Sequence, residues 1–555
     1  MALPSDDGDA RTLGYSDGEK EGHCETLKVG KELAVQELNR VPCGLELKRS
    51  QLLVIFIGLS LALFLVAVDV TITSTAMGKI GSEFKVLDQV AWIATAYILT
   101  YNSFQPLFGK FSDIFGRKLT ILFSSIVFLV ASIMCGIAPN ITFLVVFRAV
   151  QGLGGSGVYA MVLIIIADLT TLRDRAKYNS LMNVTYAFAA VGGPVLGGVF
   201  TDKATWRWAF YINVPIGAVA ILILFFSVQL PKPKGSLRQK LFRIDLLGTF
   251  LIVSGTTLLL LAMTWGGVKF PWSHPAVISC FILSALSFAA LIYVESRVAK
   301  EPLLPLRLFQ NLVVCAVFIS NWFQGVGFFT MMYYVPLFFQ VVLNEPAMLS
   351  GVKLIPMQIA LTIVATSMGW LFARYPASPR YCTVIGLGIF TVGVGLMSTW
   401  DASSPLAAQY GYMAINGIAM GLNMPGNIIT LQSVVQVEDL AVATGLGSFF
   451  QMLGGAVGVA IGSVVMNAKL WNDLPLVLPE PLVHEVVASV SNIRGSHFSP
   501  EQSAYILEVY THALQKVFRV TTPLVGVGFV VSFGVLLFWR RVVDGGLHMD
   551  EVVEG

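Results

Sequence analysis

About fourteen runs of roughly 20 mostly apolar residues fill the chain, and an α-helix needs this length to cross a bilayer. The runs lie at 52–78, 89–109, 119–138, 143–167, 178–200, 209–229, 244–264, 275–295, 313–342, 350–372, 381–399, 408–432, 441–466 and 520–539. They are too long for transmembrane strands and lack the strict alternation of such strands. Hydrophobic residues make up 55% of the 555 residues and charged residues 12%, which excludes a string of soluble domains. The sequence therefore predicts an all-α polytopic membrane protein.

Lysine and arginine are unevenly divided between the loops of the two sides. With the N-terminus inside, the short inner loops hold sixteen of these residues and the short outer loops hold five. Basic residues favour the cytosolic side, so both termini are predicted to be cytosolic. No cleavable signal peptide is visible, and the first apolar run is expected to serve as the targeting signal.

The chain also repeats itself weakly at an offset of about 260 residues. Gln151-Gly152 in the fourth run, for example, matches Asn416-Gly417 in the twelfth. Two related six-helix halves with two inserted helices are therefore predicted, an arrangement typical of transporters with a central site. The predicted divisions are a disordered cytosolic tail (1–50), an N-terminal six-helix half (51–230), a linker with two inserted spans (231–300), a C-terminal six-helix half (301–540) with an outer loop (467–519), and a cytosolic tail (541–555).

The outer loop is expected to end in an interfacial helix that leads into the last span. Ser499 is predicted to cap this helix, with Pro500 at its first position and Gln502 closing a capping box. One apolar stripe follows at helical spacing, formed by Ile506, Val509, Tyr510, Ala513, Leu514 and Val517.

The loop after the second run reads GKFSDIFGRK. Its glycines, Gly109 and Gly116, allow close helix contact and a tight turn, and Asp113 can accept hydrogen bonds from basic neighbours such as Arg117 and Lys118. This segment resembles the loop signature of the major facilitator superfamily. The resemblance implies that Asp113 and Arg117 lock the inner gate of the outward-facing state.

Charged residues inside the apolar runs mark a second feature, because a charge at membrane depth is costly and usually functional. Arg148 and Gln151 share one face of the fourth run, in the segment RAVQGLGGSG, and Asp69 is the acid well inside the first run. Burial favours a neutral carboxyl and a nearby arginine favours a charged one, so Asp69 and Arg148 are predicted to couple proton binding to transport. Both positions resemble motifs of the superfamily's drug:proton antiporters.

The fifth run contains AAVGGPVLGG, which resembles the signature of the superfamily's antiporters. The residues concerned are Gly192, Gly193, Pro194, Gly197 and Gly198. Small residues at this spacing let helices approach closely, and the proline removes a backbone donor. This segment is the main argument for export over uptake.

Two further segments, WRWAFYINVP from Trp206 and YYVPLFFQVV from Tyr333, resemble hallmarks of the drug:proton antiporter branch with fourteen spans. The resemblance covers about residues 50–540, and within the branch it is strongest to filamentous-fungal efflux pumps for toxins and secondary metabolites. One departure is the second-half loop GWLFARYPASPR, which lacks the acid of the first, so a weaker gate lock is expected there.

Amides and aromatic rings, rather than charges, mark the apolar runs of the second half. Such side chains suit a bulky, mostly neutral ligand. The residues predicted to line a substrate cavity are Gln151, Asn321, Gln324, Tyr333, Asn416, Asn423 and Gln451.

These features predict proton-coupled efflux of a mycotoxin, secondary metabolite or drug by alternating access. The alternatives are a vacuolar amino-acid or siderophore transporter and a non-transporting nutrient sensor. No nucleophile elbow, metal-ligand cluster or phosphate-binding loop is apparent, so we expect neither an enzyme nor a cofactor, and the proton gradient supplies the energy. The expected partners are a small-molecule substrate and the lipid bilayer, without nucleic acid, for a monomer in the plasma membrane, with a vacuolar or vesicle membrane as the alternative. Asn140 begins a glycosylation sequon on an outer loop.

Overall fold

The computed structural model describes residues 48–546, with short gaps. The gaps are 85–90, 231–232, 234–238, 241–244, 268–269, 299–301, 346, 376, 480–481, 484–485 and 487–497. The predicted N-terminal tail therefore lies almost entirely outside the described residues, and the predicted C-terminal tail lies outside them from residue 547 onward.

Helices make up nearly all of the described chain, as expected for apolar segments that must satisfy their own backbone hydrogen bonds in a bilayer. They are α1 (Arg49–Phe84), α2 (Ala91–Phe115), α3 (Arg117–Gly136), α4 (Ile141–Leu169), α5 (Leu172–Lys203), α6 (Trp208–Tyr211), α7 (Asn213–Ser227), α8 (Leu246–Trp265), α9 (Pro275–Arg297), α10 (Arg307–Gln310), α11 (Leu312–Val341), α12 (Ala347–Val352), α13 (Ile355–Arg374), α14 (Ser378–Met397), α15 (Leu406–Val434), α16 (Leu440–Asp473) and α17 (Pro500–Gly546). Within the described residues, a single isolated bridge between Gly266 and Phe270 is the only β-pairing.

Most predicted apolar runs coincide with one long helix each, whereas 209–229 covers α6 and α7 and 350–372 reaches from α12 into α13. Among the described residues, eleven helical segments are long and apolar enough to cross a membrane. The other three long helices, α2, α5 and α15, carry more polar side chains. The chain is thus an all-α, multi-pass membrane protein, and the full count of fourteen spans stays a prediction.

The helices pack in two groups that share one pattern. In the N-terminal group, α1 packs on α5 and α7, α4 on α2 and α3, and α3 on α7. In the C-terminal group, α11 packs on α16 and α17, α15 on α13 and α14, and α14 on α17. Helices α8 and α9 pack on each other, and α8 also contacts α2.

The two groups meet through α2 with α16 and through α5 with α13. Gly109 near the end of α2 lies so close to α16 that an added Cβ would be 3.0 Å from the Ala441 carbonyl oxygen. Ala441 itself is buried against the hydrophobic core of the N-terminal group. The ends of α2 and α16 that belong to the predicted cytosolic side are therefore in direct contact.

The predicted outer loop 467–519 contains helix at both of its ends, and its extent outside the membrane stays a prediction. Helix α16 continues to Asp473, and α17 runs without a break from Pro500 through the last predicted span. The predicted capping box is confirmed: Ser499 Oγ accepts from Gln502 N at 3.2 Å, and Gln502 Oε1 accepts from Ser499 N at 3.0 Å.

The same helix corrects the prediction of an interfacial segment. Its apolar stripe is buried within the protein, with Ile506 and Tyr510 packed against Leu470 and Leu474. An amphipathic pattern predicts an apolar partner but cannot distinguish a neighbouring helix from a lipid surface.

Candidate functional site

A buried ion pair joins α1 to α4 in the N-terminal group. Arg148 Nη1 donates to Asp69 Oδ2, and the two side chains are 2% and 0% exposed. The structure thus brings together the two residues predicted to couple protons to transport. Taking two charges out of water is costly unless further hydrogen bonds satisfy their remaining atoms.

Two amides supply those bonds to the Asp69 carboxylate, and a serine bonds both amides. Gln151 Nε2 donates to Asp69 Oδ1 at 2.8 Å, and Asn213 Nδ2 donates to the same oxygen at 3.2 Å. Ser132 Oγ accepts from Gln151 at 3.2 Å and from Asn213 at 2.8 Å, and it donates to the Phe210 carbonyl at 3.0 Å. Helices α1, α3, α4 and α7 therefore meet at one connected polar network.

The guanidinium of Arg148 is held from other directions as well. Its Nε donates to the Ile93 carbonyl at 3.1 Å, and Nη1 also donates to Gln151 Oε1 at 2.9 Å. The Tyr97 ring lies 4.4 Å and the Phe210 ring 5.8 Å from Arg148 Cζ, both within the range of cation–π attraction. The guanidinium therefore donates from both Nε and Nη1. A lysine has a single nitrogen and could not reproduce this arrangement of donors.

We name the set Asp69, Ser132, Arg148, Gln151 and Asn213 the proton cluster, after the coupling role that the sequence predicts for Asp69 and Arg148. A proton on Asp69 would cancel its charge and leave Arg148 to its carbonyl, amide and ring contacts. Because the cluster is sealed from solvent in this conformation, such a change alters the relative stability of helix arrangements. The role of Asp69 and Arg148 in proton coupling stays a prediction.

Sequence reasoning found Asp69, Arg148 and Gln151 but missed the roles of Ser132 and Asn213. Gln151 was predicted to line the substrate cavity, and the structure instead places it at the Asp69 carboxylate. A signal for Asn213 was available, since it lies within the segment WRWAFYINVP that resembles the antiporter branch.

The predicted gate residues lie at the junction of α2 and α3. Arg117 pairs with Asp113, and its Nε also donates to Asp168 Oδ2 of α4 at 2.7 Å. Gly116 has φ of +96°, a conformation that favours glycine, so the tight turn predicted there is present. Lys118 lies apart from this pairing, with Nζ 4.9 Å from the centre of the Phe225 ring. Sequence reasoning missed Asp168.

The glycines of α5 differ in their surroundings. A Cβ on Gly193 would lie 1.9 Å from Thr71 Oγ1 of α1, whereas a Cβ on Gly192 would have no neighbour within 4 Å. The predicted close helix contact is therefore present at Gly193. Its partner Thr71 lies two residues after Asp69 on α1. Gly197 is buried. Helix α5 continues through Pro194 and Gly198, but the surroundings of these two residues are outside what the structure describes.

A cluster of buried amides lies in the C-terminal group on α11 and α15, the helices that correspond to α1 and α4. Asn427 Nδ2 lies 2.6 Å from Asn321 Oδ1, 3.1 Å from Asn423 Oδ1 and 3.4 Å from Gln324 Oε1. Asn321 Nδ2 also donates to the Gly447 carbonyl of α16 at 3.2 Å. We name Asn321, Gln324, Asn423 and Asn427 the amide cluster.

A narrow cavity of about 30 Å³ adjoins this cluster. Asn321, Gln324 and Gln451 line it together with Tyr159 of the N-terminal group. A drug-sized ligand needs roughly 300 Å³ or more, so this cavity has room for water-sized molecules in this conformation.

Two predicted cavity residues lie elsewhere. Tyr333 follows Gln324 by nine residues, which places it on the opposite side of α11, and its side chain is 60% exposed. Asn416 is buried between α15 and α14, where its Nδ2 donates to the Tyr412 carbonyl at 2.8 Å and its side chain fills the space beside Gly393. The structure therefore brings neither residue to the cavity.

The sequon residue Asn140 caps α4. Its Oδ1 accepts from Phe143 N at 2.9 Å, and the residue is exposed. The glycosylation of Asn140 stays a prediction.

Comparison with known proteins places this geometry in context. A model of the Major Facilitator Superfamily matches residues 59–459. The chain is 34% identical over 499 residues to a protein of Trichophyton rubrum named MFS-type efflux pump MFS1, with 89% of this chain and 92% of that one covered. It is 34% identical over 427 residues to the multidrug transporter protein MdtP of Bacillus subtilis, with 77% of each chain covered.

Solved structures with the same fold include a bacterial homologue of the human lysosomal transporter Spinster in an inward-facing, occupied conformation. The TM-score is 0.56 at 14% identity, with 88% of this chain and 97% of that chain covered. The proton:xylose symporter XylE gives a TM-score of 0.55 at 13% identity, with 89% and 96% covered.

Proposed function

The chain belongs to the Major Facilitator Superfamily, and we propose that it exports a bulky, mostly neutral organic compound in exchange for protons. The family consists of membrane transporters, so the partners of the protein are a small molecule and the bilayer. The finer parts of the proposal are the direction of transport, the proton as the coupled ion and the class of substrate.

One observation carries the proton coupling: the sealed ion pair of Asp69 and Arg148 within the proton cluster. A buried carboxylate that is held by an arginine and two amides is a group whose protonation changes the stability of its surroundings. Arrival of a proton at Asp69 would weaken the contacts among α1, α3, α4 and α7 and favour another arrangement of these helices. No cofactor or ATP is required in this scheme.

The amide cluster supports the class of substrate. Amides both donate and accept hydrogen bonds but carry no charge, so they suit a ligand with carbonyl or hydroxyl groups. The adjoining cavity is too small for such a ligand while the cytosolic ends of α2 and α16 touch. We infer that the two groups of helices must move apart to admit the substrate, which is alternating access.

Export, rather than uptake, is supported by the names of the relatives, which include efflux pumps and a multidrug transporter. The close contact of Gly193 with α1 agrees with the antiporter resemblance of α5. We propose the plasma membrane as the location and a monomer as the working form.

The test measures accumulation of a panel of uncharged aromatic dyes in yeast cells with and without the protein. We expect cells with the protein to hold less of at least one dye, and an uncoupler to remove the difference. Depletion of ATP at a maintained proton gradient should leave the difference intact. Export that follows ATP rather than the gradient would overturn proton coupling, and higher dye accumulation in cells with the protein would overturn export.

A further inference from the structure

A buried arginine outside the resemblance motifs joins the two groups of helices. Arg175 is the fourth residue of α5 and is 4% exposed. Its Nη1 donates to Oε1 of Gln432, in the last turn of α15, at 3.1 Å. Gln432 Nε2 in turn donates to Thr444 Oγ1 of α16 at 3.2 Å. The contact therefore crosses from the N-terminal group to two helices of the C-terminal group.

The position of this contact matches the closed side of the molecule. Arg175 follows the loop after α4, and Gln432 precedes the loop before α16, and both loops are on the predicted cytosolic side. The contact of Gly109 with Ala441 lies on the same side. Separation of the two groups here would have to break the bond between Arg175 and Gln432.

Among the described residues, the side-chain hydrogen-bond partner of this arginine is neutral, which is unusual for a buried cation. Buried charges are normally paired with an opposite charge, because otherwise the desolvation cost is not recovered. The nearby carboxylate, Asp168, is already bonded to Arg117 at 2.7 Å. Arg175 Nε has no hydrogen-bond partner among the described residues. The N-terminal end of α5 also disfavours a cation, while the C-terminal end of α15 favours one.

We propose that Arg175 and Gln432 form a releasable clasp on the cytosolic side, and that the amide at position 432 keeps the clasp weak enough to open in every transport cycle. A carboxylate at this position would pair directly with Arg175, in addition to the more distant charge of Asp168, and hold the cytosolic side closed. An apolar residue would leave the cation buried without its partner and favour opening. Arg175 is thus a positioning residue that sets the balance between two conformations.

The test uses the buried residue Ala441 as a reporter, and it needs no transport substrate. The variant Ala441→Cys is made in a chain whose six native cysteines are replaced. Inside-out vesicles are treated with a membrane-impermeant maleimide, which reaches position 441 only when the cytosolic side is open. The proposal rests on the proposed alternating access, but labelling is measured independently of export.

We expect Gln432→Leu to raise the labelling rate about tenfold, as expected for the loss of a hydrogen bond to a charged group. Gln432→Glu should lower the rate below that of the parent. The double variant Arg175→Met with Gln432→Leu should return to within about threefold of the parent, because it removes the charge together with its partner. Melting temperatures of the purified variants report on folding.

Gln409→Leu is the matched control. Gln409 is a buried glutamine at the other end of α15, and its Oε1 accepts from the buried Lys353 at 3.2 Å. Its replacement should not raise labelling at position 441. Equal labelling of Gln432→Leu, Gln432→Glu and the parent would overturn the clasp. Fast labelling of the double variant would also overturn it, because leucine packing and not the unpaired charge would then open the protein. If the variants show the expected labelling rates but the protein exports no dye, the proposed export is contradicted and the proposed clasp is still supported.

Discussion

The proton cluster and the amide cluster lie on corresponding helices of the two groups, the first on α1 and α4 with their neighbours and the second on α11 and α15. Both are buried, and both satisfy most of their polar atoms through side-chain hydrogen bonds. The first contains an acid and a base, Asp69 and Arg148, whereas the second consists of amides. Amides do not titrate, so only the first can respond to a proton.

This difference suggests a division of labour within one pattern of packing. The N-terminal group would hold the group that takes up a proton, and the C-terminal group would hold much of the surface that binds a neutral ligand. Changes in the first cluster should then alter coupling, and changes in the second should alter affinity.

The largest effect is expected for Asp69→Asn. The variant keeps the shape of the side chain but removes the charge opposite Arg148, so no proton can be exchanged there. We expect export of the panel dye to fall to the level of cells without the protein. Surface expression, measured on a tagged chain, should persist, because Arg148 keeps its bonds to Ile93 and Gln151. Full export by this variant would assign coupling to another group.

A somewhat smaller loss is expected for Arg148→Lys. A lysine nitrogen cannot serve Asp69, Gln151 and the Ile93 carbonyl in the directions that the guanidinium does. Each lost bond to a charged group is worth about 1.5–3 kcal/mol, so the transport rate should fall at least about tenfold. Arg148→Ala should be no better. Wild-type transport by the lysine variant would show that a positive charge alone is sufficient.

The contact between α1 and α5 at Thr71 and Gly193 provides the third prediction. Gly193→Leu places a bulky group where a Cβ would already lie 1.9 Å from Thr71 Oγ1, at a cost of about 1–3 kcal/mol. We expect the variant to reach the membrane with export reduced about fivefold or more and with cysteine labelling biased to one side. Gly192→Leu is the control, because its Cβ meets open space. Equal export and equal labelling in the two variants would show that the glycine segment has no role beyond ordinary helix packing.

The smallest change in coupling is expected for Asn427→Leu, which removes the central donor of the amide cluster. Loss of a neutral hydrogen bond costs about 0.5–1.5 kcal/mol, so the half-saturating dye concentration should rise about three- to tenfold. Dependence on the proton gradient should remain. Tyr333→Ala, on the exposed side of α11, should change neither quantity by more than about twofold. If export by Asn427→Leu no longer depended on the proton gradient, the proposed separation of coupling and ligand binding between the two clusters would be contradicted.

The sequence was most informative where a residue type is costly in its surroundings. Asp69 and Arg148 stand out because charges are rare at membrane depth, and the structure joins them. Apolar length likewise located the long helices, and the capping box at Ser499 located the start of α17.

Residues that are unremarkable in composition could not be assigned in this way. Ser132 and Asn213 gain their roles from partners on other helices. Nothing local distinguishes Ser132 from other small polar residues in apolar runs, and the one signal for Asn213 is its place in WRWAFYINVP. Tyr333 was assigned to the cavity by its type, but its angular position on α11 directs it elsewhere. The buried stripe of α17 shows the same limit, because a pattern does not name its partner.

The most direct test of the central claim is transport into inside-out vesicles that are free of ATP, with an imposed proton gradient as the energy source. The probe is the dye that cells with the protein exclude best. With an acidic lumen, we expect the wild-type protein to accumulate the dye, an uncoupler to release it, and Asp69→Asn vesicles to show no response to the gradient. Equal accumulation by wild-type and Asp69→Asn vesicles, or wild-type accumulation that needs ATP and ignores the gradient, would contradict the account.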